Sequence, residues 1–276
     1  MPGLARLFTA SLLTLVVVIG GAARAAAAAP GADSVYLEEL TWTELRDRIR
    51  AGATTAIVPV GGTEQSGPYL ALGKHNARVR VLAGRIAAAL GNAVVAPVVA
   101  YVPEGAVDPP AGHMRFPGTL TVPEAAFETT LEYAARSLRR AGFRDIVLIG
   151  DHGGYQKSLV RVADRLDREW AATPVRVHAI GEYYRAADVD YAAALRRAGH
   201  ADAEIGSHAG LADTALSLAL DPQGVRAARL HDDAAPGVAQ GVQGDPRRAT
   251  AALGQLGADL VVARTVEAIR RDVGRP

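Results

Sequence analysis

Cysteine is absent from the 276-residue chain, and that absence removes a disulfide framework, a cysteine-ligated zinc and a thiol nucleophile. Charge of one sign is also missing. Thirty Lys and Arg nearly balance 29 Asp and Glu, for a formal net charge of +1, which points away from nucleic acid or an anionic membrane surface as a partner. Aromatic residues make up only 5% of the chain, so its alanine-rich helices are expected to pack closely on small side chains. The sequence holds no phosphate-binding loop, no G-x-G-x-x-G and no G-x-S-x-G nucleophile elbow. ATP-type, dinucleotide-dependent and serine-hydrolase chemistry therefore lack their motifs.

What is present reads as one exported α/β domain. Residues 1–29 have the order of an export signal: Arg6, then the apolar run Leu7 to Gly21, then Ala23-Arg24-Ala25 or Ala27-Ala28-Ala29 as an A-x-A-like cleavage site. The apolar run is shorter than the ~20 residues a membrane-spanning helix needs, which favours cleavage and a periplasmic or secreted protein. The remainder, residues 35–273, is long enough for one domain with a sizeable core.

Short β-branched runs alternate with helical spacing along that remainder. Strands are expected at 54–60, 93–100, 145–149 and 174–180. Helices are expected at 41–51, where Thr41 and Glu44 form a capping-box pattern, and at 76–90. The next runs from Thr121 to Arg140, with Thr121 and Glu124 as a second capping box and Pro123 in its first turn. Further helices are read at 156–171, at 184–198 as a surface helix, at 211–220, and at 247–273 with a break at Gly254 or Gly257. Alternation of this kind predicts a mostly parallel sheet covered by helices on both faces.

Two stretches carry the chemistry. Gly61-Gly62-Thr63-Glu64 and Asp151-His152-Gly153-Gly154-Tyr155 each follow a predicted strand, and His75 opens the helix after the first. Ligands in open α/β sheets bind at the carboxyl ends of strands. One carboxylate and two imidazoles, Glu64, His75 and His152, suit a divalent ion, Zn²⁺ or else Mn²⁺ or Fe²⁺, and leave a coordination position open. Spacing alone also allows three unrelated surface or capping residues. Asp151 either orients His152 or serves as a turn residue.

Segments 58–76 and 149–155 resemble the creatininase (creatinine amidohydrolase) family. The resemblance continues at Gly112-His113-Met114-Arg115-Phe116-Pro117-Gly118-Thr119, at Ser207-His208-Ala209-Gly210 and at 244–250, in the family's order. It implies a three-layer αβα sandwich, a homo-oligomer (often a hexamer), and metal-dependent hydrolysis of a C–N bond, amide or cyclic amide, in a small-molecule substrate. It also exposes departures. The family's two-metal site has a bridging Asp where this chain has His75, a His where it has Ser66, and in creatininase itself a Glu where it has Gly154. These changes dismantle one metal position and leave Glu64, His75 and His152 for the other, implying one ion per subunit. The expected reaction is attack by a hydroxide held on that ion.

By the same resemblance His208 is the expected proton-transfer residue, or else a residue that caps and packs. Asp213 is a second catalytic candidate, as a fourth ligand or an acceptor behind an imidazole, or simply an Asp favoured in a first helical turn. His113 and Arg115 are substrate-binding candidates in the long loop 101–118, or an exposed loop pair. Tyr155 and Tyr69 either line the pocket or belong to the core. The competing functional reading is a non-catalytic binding or scaffold protein that kept the fold.

Overall fold

The computed structural model describes residues 33–231 and 237–273. The export signal lies outside these residues. The elements run α1 (Trp42–Arg50), β1 (Thr55–Val60), α2 (Lys74–Leu90), β2 (Ala93–Val95), α3 (Glu124–Ala141), β3 (Asp145–Gly150), α4 (Gln156–Glu169) and β4 (Arg176–Ala179). They continue as α5 (Glu182–Arg185), a π-helical turn (Ala186–Asp190), α6 (Tyr191–Arg197), α7 (Asp202–Ile205), α8 (Leu211–Leu220) and α9 (Ala251–Val273).

The four strands form one parallel sheet in the order β2-β1-β3-β4. Successive side chains of a strand point to opposite faces, and both faces here are apolar. Ile57, Val147 and Ile149 meet α2, α8 and α9 on one side. Ala56, Val58, Val60, Ile146 and Leu148 meet α3 and α4 on the other. The result is a three-layer αβα sandwich. Because β1 pairs with β3 from Thr55↔Asp145 to Val60↔Gly150, the two strands end side by side. The chain leaves β1 for β2 on one side of it and returns to β3 on the other, so a crevice opens between their carboxyl ends.

Four expectations need correction. The second strand is regular only over Ala93–Val95, because Pro97 has no N–H to give the ladder; Val99 rejoins β1 as an isolated bridge to Val60. Helix α3 begins at Glu124 with no side-chain cap. Thr121 instead accepts the Glu104 N–H at 3.0 Å and donates to the Gly105 carbonyl at 3.2 Å. The segment after β4 is more than a surface helix, since Tyr183, Ala186, Tyr191 and Leu195 are fully buried. Finally, α9 runs unbroken through its glycines. A Cβ at Gly254 would lie 1.8 Å from the Ala215 carbonyl oxygen, and one at Gly257 2.8 Å from the Tyr191 ring. Those glycines let α9 approach α8 and α6.

That packing is testable. Gly254→Ala improves intrinsic helix propensity by about 1 kcal/mol, but the added methyl must push α8 and α9 apart. Overpacking costs about 1–3 kcal/mol and the close approach puts this site at the upper end, for a net loss of up to about 2 kcal/mol, read as a lower midpoint in urea denaturation. An unchanged or higher midpoint would show that α8 and α9 are not so closely apposed.

Candidate metal centre in the cleft

Glu64 is fully buried at the centre of the crevice. Its backbone is fixed where the β1 loop meets α2: Glu64 N–H donates to the Leu72 carbonyl at 3.1 Å, and the Gly62 N–H donates to Asn76 Oδ1 at 2.9 Å. His75, in the first turn of α2, places Nε2 2.7 Å from Glu64 Oε1 and Nδ1 2.7 Å from Asp151 Oδ2. Asp151 follows β3 directly; its Oδ2 also receives Arg78 at 2.6 Å and its Oδ1 receives the Tyr183 hydroxyl at 2.8 Å. Burial works to raise the Asp151 carboxyl, but the Arg78 charge and the His75 hydrogen bond hold it below its ordinary range. A carboxylate behind the far nitrogen of an imidazole is the usual way to aim the near nitrogen at a metal.

His152 Nε2 lies 3.6 Å from Glu64 Oε2. One donor atom each from Glu64, His75 and His152 falls within 4.8 Å of the others. The donor set fits a divalent ion: Glu64 Oε2 is buried without a hydrogen-bond partner, and burial together with the nearby His75 lowers His152 to about 4, so its ring is neutral at pH 7. His152 Nδ1 accepts the Gly154 N–H at 3.2 Å, which leaves the ring proton on Nε2. A metal at Nε2 would take the other tautomer and give up that long contact. Burial also works to raise Glu64, but the His75 hydrogen bond and the Lys74 charge hold its carboxyl far below its ordinary range.

His113 and His208, their ring centroids 4.2 Å apart, also converge on Glu64. With Glu64 they form a second group of convergent donors, which the sequence reading did not foresee. Gln65 sets their tautomers. Its Oε1 accepts the Gly67 N–H at 3.0 Å, so its Nε2 is the end 2.6 Å from His113 Nδ1. His113 therefore accepts at Nδ1 and turns an Nε2–H towards Glu64 Oε2, 3.5 Å away. His208 Nε2 lies 2.8 Å from the Gln65 carbonyl and donates to it, leaving the Nδ1 lone pair 3.6 Å from Glu64 Oε1. Burial, reinforced by the Lys74 charge, lowers His208 to about 4.

Of the remaining candidates, only Asp213 lines the cleft. Asp213 belongs to neither donor group; its oxygens bind Arg78 at 2.6 Å, Lys74 at 2.9 Å and the Ala209 N–H at 2.8 Å. The last bond braces Ala209, which has a left-handed φ of 52° beside His208. Tyr155 is core rather than pocket wall: its hydroxyl sits 2.8 and 2.6 Å from the Val60 and Gly61 carbonyls and accepts the His152 N–H. Tyr69 packs with Ala209, Val225 and Val242 in a separate cluster. Arg115 is exposed and lies outside the cleft lining. Four residues at or beside the site escaped the sequence reading: Gln65, Lys74, Arg78 and Glu104.

The cleft has a volume of about 240 Å³ and is lined by Glu64, Lys74, His113, His152 and His208 among others. A larger apolar groove of about 600 Å³ between residues 96–101 and α3 carries neither carboxylate nor imidazole.

A sequence profile of the creatininase family, described as creatinine amidohydrolase, matches residues 38–269. The chain is 30% identical over 214 residues to the mycofactocin precursor peptide peptidase of Mycolicibacterium smegmatis, an alignment covering 72% of this chain and 77% of that protein. It is 32% identical over 126 residues to the creatinine amidohydrolase of Pseudomonas putida, spanning 46% of this chain and just under half (47%) of that relative. A crystal structure of creatinine amidohydrolase (creatininase) superposes with a TM-score of 0.73 at 26% identity, covering 88% of this chain and all of that one. Two other creatininase structures, both 27% identical with TM-scores of 0.69 and 0.70, are described as a Zn-Zn mutant form and a Mn form. This chain is a member of the creatininase family, a family of metal-dependent amidohydrolases.

Proposed function

We propose that the protein is an exported amidohydrolase that cleaves the C–N bond of an amide or cyclic amide in a small substrate, using one divalent ion, Zn²⁺ foremost, held by Glu64, His75 and His152. The observation that carries this reading is the convergence of two donor groups on Glu64. His75 and His152 bring metal donors to it, and His208 brings a neutral proton acceptor, its Nδ1 3.6 Å from Oε1. When bound, such an ion supplies a Lewis acid that polarises a carbonyl and brings the pKa of water towards neutrality.

The protein's own groups do the rest. His208, neutral at pH 7, takes a proton at Nδ1 from the water that attacks the carbonyl carbon and passes it to the nitrogen as the C–N bond breaks, leaving a carboxylic acid and an amine. His113 turns its Nε2–H into the cleft and is positioned to bind the substrate carbonyl. The Lys74 ammonium, 3.5 Å from Glu64 Oε1 on a nearly inaccessible side chain, is a fixed positive charge at the same carboxylate. It disfavours a second cation there, in keeping with one ion per subunit. Export rests on the order of residues 1–29, and assembly as a hexamer on the family resemblance. N-terminal sequencing of the secreted protein and sedimentation analysis test those two parts.

Purified protein is expected to carry close to one divalent metal per chain by elemental analysis, and Glu64→Gln to carry almost none while remaining folded. Two ions per chain would refute the single-ion reading. With small amides, lactams and formamides as substrates, turnover should require added Zn²⁺ or Mn²⁺; tight binding of an uncleaved ligand without turnover would instead make this a binding protein. His208→Ala should keep its metal and lose roughly 10²–10⁴-fold in kcat. Near-normal turnover by that variant would reduce His208 to a packing residue.

A further inference from the structure

Glu104 lies in the loop after β2, with a side chain only 1% exposed, yet neither of its carboxylate oxygens has a hydrogen-bond partner. Burial of an ionised carboxylate is strongly unfavourable unless a donor or a cation compensates it. The nearest fixed cation, the Lys74 ammonium, is engaged by Asp213 at 2.9 Å and Glu64 at 3.5 Å. A second carboxylate, that of Glu64, stands beside the same imidazole nitrogen of His152.

We propose that Glu104 is a further ligand of the ion held by Glu64, His75 and His152, an inference that rests on the metal reading above. Glu104 Oε2 is 3.7 Å from His152 Nε2, and Glu64 Oε2 is 3.6 Å from the same nitrogen. Both separations are too long for hydrogen bonds. They are close to the roughly 3.4 Å between neighbouring donors of a tetrahedral ion with bonds of about 2.1 Å. A cation beside His152 Nε2 would satisfy Glu64 Oε2 and Glu104 Oε2 together and draw the two carboxylates to one positive charge.

The loop is built to hold Glu104 in this place. Thr121 accepts the Glu104 N–H and donates to the next carbonyl, at Gly105, so the hydroxyl that leaves α3 uncapped clamps this residue instead. A Cβ at Gly62 would come within 2.8 Å of Glu104 Oε1, and Gly62 has a φ of +151° that favours glycine. Glycine there leaves the carboxylate its space.

The test is metal binding rather than turnover. Metal-free wild type is titrated with Zn²⁺ against a chromophoric chelator, and with Co²⁺ while its visible absorption is recorded. Glu104→Gln keeps the shape and removes the charge, so the metal-free variant should melt no lower than wild type. Its Zn²⁺ dissociation constant should rise at least about 100-fold, beyond the range for residues that only support a ligand, and its Co²⁺ bands should change in position or intensity. Unchanged affinity with an unchanged Co²⁺ spectrum overturns the assignment, even if activity falls, and would leave Glu104 acting on the substrate or its protons. Should Glu104→Gln fail to fold, Glu104→Asp withdraws the carboxylate by one methylene; it should weaken Zn²⁺ in the same way, and wild-type affinity in it overturns the proposal. Wild type that binds neither ion refutes the metal reading itself and this ligand with it.

Discussion

The cleft depends on one buried carboxylate, Asp151, and the cation beside it. Asp151 receives His75, Arg78 and Tyr183 at once, and Arg78 carries the charge on to Asp213. Arg78 is buried and its guanidinium is raised further above its already high range: burial opposes the charge, but Asp151 and Asp213 outweigh it. Asp213 in turn holds Lys74, which leans on Glu64. Opposite charges thus alternate from the end of β3 through α2 to the start of α8. Removing one member of such a chain strands its neighbours in a medium where unpaired charge is costly. The orientation of His75 is a consequence of that chain, because the imidazole nitrogen opposite Glu64 is fixed by Asp151.

Around this core one residue, Glu64, is shared by both donor groups. Oε1 faces His75, Lys74 and His208, while Oε2 faces His113 and His152. Gln65, the next residue along, assigns the tautomer of His113 through a side-chain amide oriented by Gly67 and that of His208 through its backbone carbonyl. The positions at which the chain departs from its family also have a physical setting. Ser66 is buried with an unpartnered hydroxyl, and a Cβ at Gly154 would lie 2.9 Å from the His152 ring.

Much of the architecture was legible from local pattern. The runs at 54–60 and 145–149 could only be buried parallel strands, being apolar on both faces, and the Thr41/Glu44 capping box forms as read. Legibility failed where a distant partner outbid the local signal. Thr121 and Glu124 have the spacing of a cap, but Glu104, 17 residues earlier in the chain, takes the hydroxyl. Gly254 and Gly257 look like helix breakers until α8 and Tyr191 are seen pressing on them. Segment 184–198 reads as a surface helix from its charges, but Tyr183 beside it and Tyr191 within it face the core.

The site divides along the same line. By itself the sequence determined that Glu64, His75 and His152 stand at strand ends and a helix start, because strand periodicity and glycine placement are local properties. It also determined that no thiol takes part. Only the tertiary structure decided that Tyr155 and Tyr69 belong to packing and Asp213 to a charge network, and that His113 and His208 share one glutamate with the metal donors. It alone exposed Glu104, whose neighbours in the chain carry no sign of function. Which buried carboxylate lacks a partner is a property of all the surrounding elements together, and no window of sequence contains it.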